Sequence, residues 1–498
     1  MNIIKALIAP PGAGKSQWLI NHINQHRNDH SILVFPTLNL SDEIRKRLEE
    51  LTIPFNTINS QSVEGGTVVE HLEEALINKN DNVIVCTHAA LLLINPDYLC
   101  GWNLYVDEVP STWDCSNPRF TDISYHDAFD SIVNLEQDEG GKYERMIAKD
   151  NKHDLIDALS KGKDNAYNTP TRLVFEKLLS ENYAIEVDEL DKDLYRTVRI
   201  IGFKDYLSAF EAADEVTILC AELHKTFMGV ILKGAGWRIE EIEFDSKFNG
   251  YGNKVIIKPF LSKQNYSKRL ALQKEVDFPS EYVGGCNIDK WLKEVFDEVG
   301  KRKAILVGHS WLDVELPIPE GEEFSNISRV NIDNRGINEF KDRTIAICLQ
   351  HGNLSPIEGR SLSTLASMLS IEKEVTTEEI REAIKYERFY ESTLQSACRT
   401  ALRDRGNNSK VTLYVQDMSM AEFLTIKLGN TIIDDELSIS PFRVESPVKV
   451  RRDGLKAEAI QMHKEGYSTK EIAAAVEKDA RTIQRWLKPY IQLHKTAS

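Results

Sequence analysis

No cysteine of this 498-residue chain has a second cysteine at C-x-x-C spacing. The seven present, Cys86, Cys100, Cys115, Cys220, Cys286, Cys348 and Cys398, lie scattered, which argues against a disulfide framework or a zinc module and fits a reducing compartment. No apolar run approaches the roughly 18 to 20 residues that span a bilayer, and Met1 to Ile8 leads into a Gly-rich turn instead of a cleavage site. A cytoplasmic protein, of a bacterium or a phage-infected host, is the expectation. Low-complexity tracts and internal repeats are missing too. Positive charge is in deficit, with 61 Lys and Arg against 77 Asp and Glu and a net charge of -16, which argues against coating nucleic acid by bulk electrostatics. The deficit is uneven: from Lys449 to Lys495 eleven basic residues face six acidic ones, so a basic segment is attached to an acidic body.

What is present suits a soluble globular protein of two or three domains, with 42% hydrophobic residues. Short apolar runs ending in turn residues alternate with helical spacing: Ile3 to Ala9, Ile32 to Phe35, Val83 to Val85 and Leu104 to Val106. This is the pattern of a parallel α/β sheet. From about 112 to 210 it gives way to charged sequence read as a mostly helical insertion. Val216 to Cys220 then resumes the strands, and a second α/β series runs through Ala304 to Val307, Val330 to Ile332, Thr344 to Cys348 and Lys410 to Val415. Ser438 to Lys449, with two prolines, reads as a linker, and a compact helical segment follows. The expected domains are 1–245, 246–440 and 441–498.

Two motifs carry chemistry. Ala9 to Ser16, A-P-P-G-A-G-K-S, fits a phosphate-binding loop with Ala at its first small position. Pro11, Gly12, Ala13 and Gly14 let the backbone wrap a phosphate, Lys15 reaches the γ-phosphate, and the Ser16 hydroxyl ligates Mg²⁺. The partner motif is N-L-Y-V-D-E, a strand that ends in Asp107, to hold the Mg²⁺ shell, and Glu108, to orient or deprotonate water. ATP is the expected nucleotide for such a loop.

The order of these pieces resembles superfamily 2 helicases of the DExD/H type. Phe35-Pro36-Thr37 looks like motif Ia, Cys86-Thr87-His88 like Ib, Asp107-Glu108-Val109-Pro110 like II with Pro in the last place, and Cys220-Ala221-Glu222 stands where motif III has S-A-T. Lys303 to Trp311 is similar to the motif IV strand, Asn334 to Asn338 to motif V, and Gln395 to Arg403 to motif VI with Cys398 at its Gly position. No aromatic-Gln element precedes the loop. The resemblance implies two RecA-like lobes, Arg399 or Arg403 as an arginine finger beside Gln395, nucleotide contacts from Gly336 and Asn338, and nucleic-acid contacts at Pro36, Thr37, Thr87, His88 and Arg335.

In the C-terminal segment Ser468 and Glu471 form a capping box, and E-A-I-Q-M-H-K-E-G-Y-S-T-K-E-I-A-A-A-V with R-T-I-Q-R-W-L-K resembles the helix-turn-helix of resolvases and transposases. Ala459, Ile460, Ile472, Ala473, Val476, Ile483 and Trp486 would form its core, leaving Arg481, Thr482, Gln484 and Arg485 for DNA. A basic tail that docks on the motor is the other reading. The combined expectation is an ATP- and Mg²⁺-dependent DNA helicase or translocase of a phage or mobile element, with replication or recombination proteins as partners. Its rivals are an ATP-switched DNA-binding regulator and a terminase-like packaging ATPase.

Overall fold

Parallel strands need crossover connections, and here several of the helices that follow strands are capped by a threonine side chain. Thr37 accepts from the Leu40 amide, Thr87 from that of Ala90 and Thr226 from that of Gly229. In this computed structural model the described residues are 2–137, 143–161, 167–244, 248–273, 285–312, 314–332, 339–404, 406–437, 447–465, 467–476 and 478–495. They form two compact units, Met1–Ser267 with Val295–Ile439, and Lys268–Glu294 with Ser440–Ser498. Residues 268–294, expected in the second lobe, therefore group with the C-terminal segment.

The first lobe holds β1 (Ile3–Ile8), β2 (Ser31–Phe35), β3 (Asn56–Thr57), β4 (Val83–Thr87) and β5 (Asn103–Asp107). The insertion follows with β6 (Arg119–Thr121), β7 (Val133–Gln137), β8 (Glu144–Ala148), β9 (Tyr183–Val187) and β10 (Tyr195–Gly202), and then β11 (Glu215–Cys220) and β12 (Arg238–Glu241) return to the lobe. The lobe sheet is all-parallel with order β12-β1-β11-β5-β2-β4-β3. All of β2 is buried, as expected of a strand covered on both faces. The second lobe is a parallel sheet of β13 (Val255–Leu261), β14 (Ala304–Gly308), β15 (Ile327–Asn331), β16 (Ile345–Cys348), β17 (Val411–Asp417) and β18 (Thr431–Ile433), ordered β15-β14-β16-β17-β13-β18.

The insertion departs from the mostly helical expectation. Its centre is a five-stranded antiparallel sheet, β6-β10-β9-β8-β7, against which helices Asp122–Phe129, His153–Lys161 and Thr169–Leu178 pack through Tyr125, Phe129, Ile156 and Phe175. Strands such as β7 are exposed along most of their length, so charged residues occupy positions that periodicity assigns to helix surfaces.

A second core joins three bodies. Ala184, Ile201 and Phe203 of the insertion, Phe227, Val230 and Ile231 of the first lobe, and Leu362, Leu365, Leu369, Ile380 and Ile384 of the second are buried together. Polar bonds follow the same seam. Thr364 donates to Glu186 (2.6 Å), and the Gly234 carbonyl accepts from the Glu372 (2.8 Å) and Lys373 (3.1 Å) amides. Helix Phe227–Gly234 approaches so closely that a Cβ on Gly234 would lie 2.1 Å from the Leu369 carbonyl oxygen.

The second unit carries helices Pro447–Lys464, Thr469–Ala475 and Ala480–Lys495, the first of which takes in the last three residues of the expected linker. Ala459, Ile472, Val476, Ile483, Trp486 and Leu487 are its buried core, with Ile460 and Ala473 partly buried against them. The capping box of Ser468 and Glu471 is formed.

Gly234→Ala is expected to cost roughly 1–3 kcal/mol in denaturant unfolding, because backbone cannot yield to the new methyl. Gly359→Ala, on an exposed turn of helix Pro356–Leu369 with nothing within 4 Å, is the control and gains up to about 1 kcal/mol.

Candidate nucleotide site

Helix Lys15–Gln25 begins without a side-chain cap, after Gly14 at φ 99° and Gly12 at φ 78°. Its first amides and positive dipole end thus face the loop, as an anion site requires. The Lys15 ammonium donates to the carbonyls of Ala9 (2.7 Å) and Pro10 (3.2 Å). Burial pulls its pKa down, opposed by Asp107, Cys220, Glu108 and Glu391.

Asp107 ends β5, one strand away from β1, and is 4% exposed. Desolvation, with the Glu108 charge beside it, pushes its carboxyl up to about 7 against the pull of Lys15. Glu108 has left-handed backbone at φ 62°, a conformation that costs a side-chain-bearing residue roughly 1 kcal/mol or more, and its amide donates to the Leu219 carbonyl (2.8 Å). That turn carries the Glu108 side chain off the strand and into the cleft, where it lines the same cavity as Asp107.

The second lobe supplies the opposite charge. Helix Thr377–Lys385 runs into a π-helical turn, Tyr386–Glu391, and then helix Ser392–Ala397, which delivers Arg399 just beyond its end. Arg399 is 6% exposed, burial and the neighbouring Arg403 lower its pKa, and its Nε has no hydrogen-bond partner among the described residues. A buried guanidinium with an orphaned donor fits a phosphate.

These groups meet. Pro11, Gly12, Gly14, Lys15, Ser16, Asp107 and Glu108 from one lobe and Gln395, Arg399 and Arg403 from the other line one cavity of about 270 Å³. Ala13 is buried behind the loop. Cys220 and Ala221, at the motif III position, line the cavity as well. Arg335, Gly336 and Asn338 lie outside the described residues. Pro36, Thr37 and Thr87 are half-buried at the ends of β2 and β4. His88, expected to face nucleic acid, is turned inward: 7% exposed, with its Nε2 bonded to the Asp107 carbonyl (3.0 Å), it buttresses the end of β5.

Sequence reasoning missed the residues that need tertiary folding to arrive. Glu43 and Arg47 reach the cavity from helix Leu38–Glu50, and Glu391 reaches it from the π turn. Tyr251 links the lobes, donating to the Pro11 carbonyl (2.8 Å) and accepting from the Cys398 thiol (3.3 Å). Among the described residues no group of three or more His, Cys, Asp or Glu is placed to hold a metal ion. The Ser16 hydroxyl and the Asp107 carboxylate, both lining the cavity, fit a Mg²⁺ ion that takes its remaining ligands from phosphate and water.

A family model described as a homeodomain-like domain matches residues 451–492. No curated protein matches. Similar solved structures include S. tokodaii Xpd4, at 10% identity over 86% of this chain and 96% of that one with a TM-score of 0.48. They also include S. cerevisiae Dbp5 bound to RNA and ADP BeF3, at 11% over 87% and 85% with a TM-score of 0.33. A third is the DUF1998 helicase MrfA bound to DNA and AMPPNP, at 9% over 87% and 50% with a TM-score of 0.31. The sheet order and the loop between β1 and its helix decide the fold: a parallel α/β sheet with the phosphate loop and the Asp-Glu strand one strand apart.

The chain has the RecA-like fold. Burial of Asp107 and Lys15 in the cleft carries a desolvation cost. A carboxyl raised to about 7 from an unfolded value near 4 stabilises the fold fully only below that lower value and progressively less as pH climbs through 7. Asp107→Asn removes the penalty. Without nucleotide or metal, its melting temperature is expected to exceed that of wild type at pH 8 and to exceed it by less at pH 5.5, as scanning calorimetry would read.

Proposed function

We propose that the chain is an ATP-dependent nucleic-acid motor, a helicase or translocase acting on DNA. The observation that carries this reading is the single cavity lined from one side by the phosphate loop and Asp107-Glu108 and from the other by Arg399 and Arg403. Mg²⁺ held by Ser16 and Asp107 would neutralise phosphate charge. Lys15 leaves the Ala9 and Pro10 carbonyls for the γ-phosphate. Glu108 orients the attacking water and takes its proton, and Arg399 meets the charge that develops on the transferred group. Because the guanidinium comes from the other lobe, hydrolysis is fast only with the lobes closed on ATP, and product release lets them part. A strand gripped near Pro36, Thr37, Thr87 and Arg335 would be moved by that cycle.

The C-terminal unit supports DNA as the track. Arg481, Gln484 and Arg485 project from one exposed face of helix Ala480–Lys495, while Thr482 is half-buried and bonded to Asp479 (2.8 Å). A helix presenting two Arg and a Gln suits the major groove. The seam that joins insertion and both lobes favours a second reading, an ATP-switched DNA-binding regulator, since a core shared across lobes limits their travel.

Steady-state hydrolysis measured with single-stranded DNA, duplex DNA and RNA tests the motor. Several-fold stimulation by DNA is expected, abolished in Lys15→Ala and cut by roughly 10³-fold in Arg399→Ala. Hydrolysis indifferent to every nucleic acid would leave the switch. Arg481→Ala and Arg485→Ala are each expected to weaken duplex binding by about 1–3 kcal/mol in a fluorescence titration, without changing basal hydrolysis.

A further inference from the structure

A second opening between the lobes is larger than the cleft that holds the phosphate loop. A cavity of about 560 Å³ lies where helix Phe227–Gly234 and strand β12 of the first lobe meet helix Thr377–Lys385 and the π turn of the second. Its volume falls within the roughly 300–1,000 Å³ of small-ligand sites. The floor is aromatic, with Trp237 and Tyr386 buried and Tyr390 half-buried beside them. The Tyr386 and Tyr390 ring centroids are 6.3 Å apart, and Tyr390 is held in turn by Phe423 at 4.9 Å.

The rim is basic, although the chain as a whole carries -16. Lys225, Lys233, Arg238 and Lys373 outnumber Glu379 and Glu382 around the mouth. Lys233 is paired with Glu379, and Arg238 with Glu240 (3.3 Å). Among the described residues neither Lys225 nor Lys373 is paired with a carboxylate; the Lys225 ammonium sits 6.0 Å above the Tyr386 ring. Three aromatic side chains and two exposed ammonium groups around one cavity suit a ligand with a planar apolar body and an anionic end.

We propose that this cavity binds a nucleotide unit, its base against Trp237, Tyr386 and Tyr390 and its phosphate at Lys225 and Lys373. The unit comes from a free nucleotide or from a single nucleic-acid strand. Occupancy is felt in the nucleotide cleft because one π turn serves both: Tyr386 and Tyr390 line this cavity, while Glu391 lines the cleft and Glu387 accepts from the Phe227 amide (2.7 Å). This coupling rests on the ATPase reading above; the binding does not.

The full chain carrying Lys225→Gln with Lys373→Gln tests it, since both side chains are exposed and neither lines the cleft. Two probes separate the sources: ADP stoichiometry by calorimetry, and titration of labelled oligodeoxythymidylate across a range of salt. Loss of a second ADP from the binding stoichiometry would assign the site to free nucleotide. A roughly tenfold weaker oligonucleotide, with the salt slope reduced by about 1.4, would assign it to a strand, the slope change being one that a merely structural effect does not produce. Tyr390→Leu should weaken the same probe with the salt slope unchanged. Stoichiometry, affinity and slope all equal to wild type would overturn the proposal. Failure of the ATPase reading looks different, as a wild-type protein that does not hydrolyse ATP whatever its binding.

Discussion

The two lobes line one cavity together because they are held along a common edge. That edge is the apolar core of Phe227, Ile231, Leu365 and Ile384 with Ile201 and Phe203 of the insertion, closed by backbone hydrogen bonds to the Gly234 carbonyl. A dry, packed interface resists sliding more than it resists rocking, since rocking keeps most side chains in contact. Motion is therefore directed away from the seam and towards the cleft. The insertion is part of this arrangement: by packing on helix Pro356–Leu369 it makes the first lobe grip the second from two sides.

Within the cleft, unfavourable electrostatics are concentrated in a few residues. Asp107 is protonated far above the ordinary carboxylate range, Lys15 is depressed by burial, and Arg399 is buried with an orphaned Nε. Each penalty is one that a phosphate chain with its metal ion offsets. Glu108 adds backbone strain at the same point. Under the proposed function, ATP with its metal ion would relieve these penalties, a usable source of conformational change.

The parts of this design that were legible in the sequence are local in origin. The phosphate loop, the Asp-Glu strand end and the Ser468-Glu471 capping box are written within a few consecutive residues, and the structure forms each of them. Arg399 was legible through its spacing from Gln395, although Cys398 replaces the expected Gly; the Cys398 thiol contacts Tyr251 instead. The sheet of the insertion was not legible, because strands β7 and β8 alternate weakly and carry charge on exposed positions. The direction of His88, the reach of Glu43 and Arg47, and the bridge from Tyr251 to Pro11 depend on packing between distant segments, which no local pattern encodes.

The strand order of the first lobe also bears on how the protein is made. Strand β11, which lies between β1 and β5, begins only at Glu215, after the whole insertion. During synthesis at about 5–20 residues per second, β1 and β5 leave the ribosome several seconds before the strand that joins them. Through that interval each presents an unpaired, apolar edge. The insertion, whose antiparallel sheet pairs only with itself, is complete before β11 appears. It can thus fold first and stand beside the unfinished sheet, so that the arrival of β11 joins β1 to β5 in one late step.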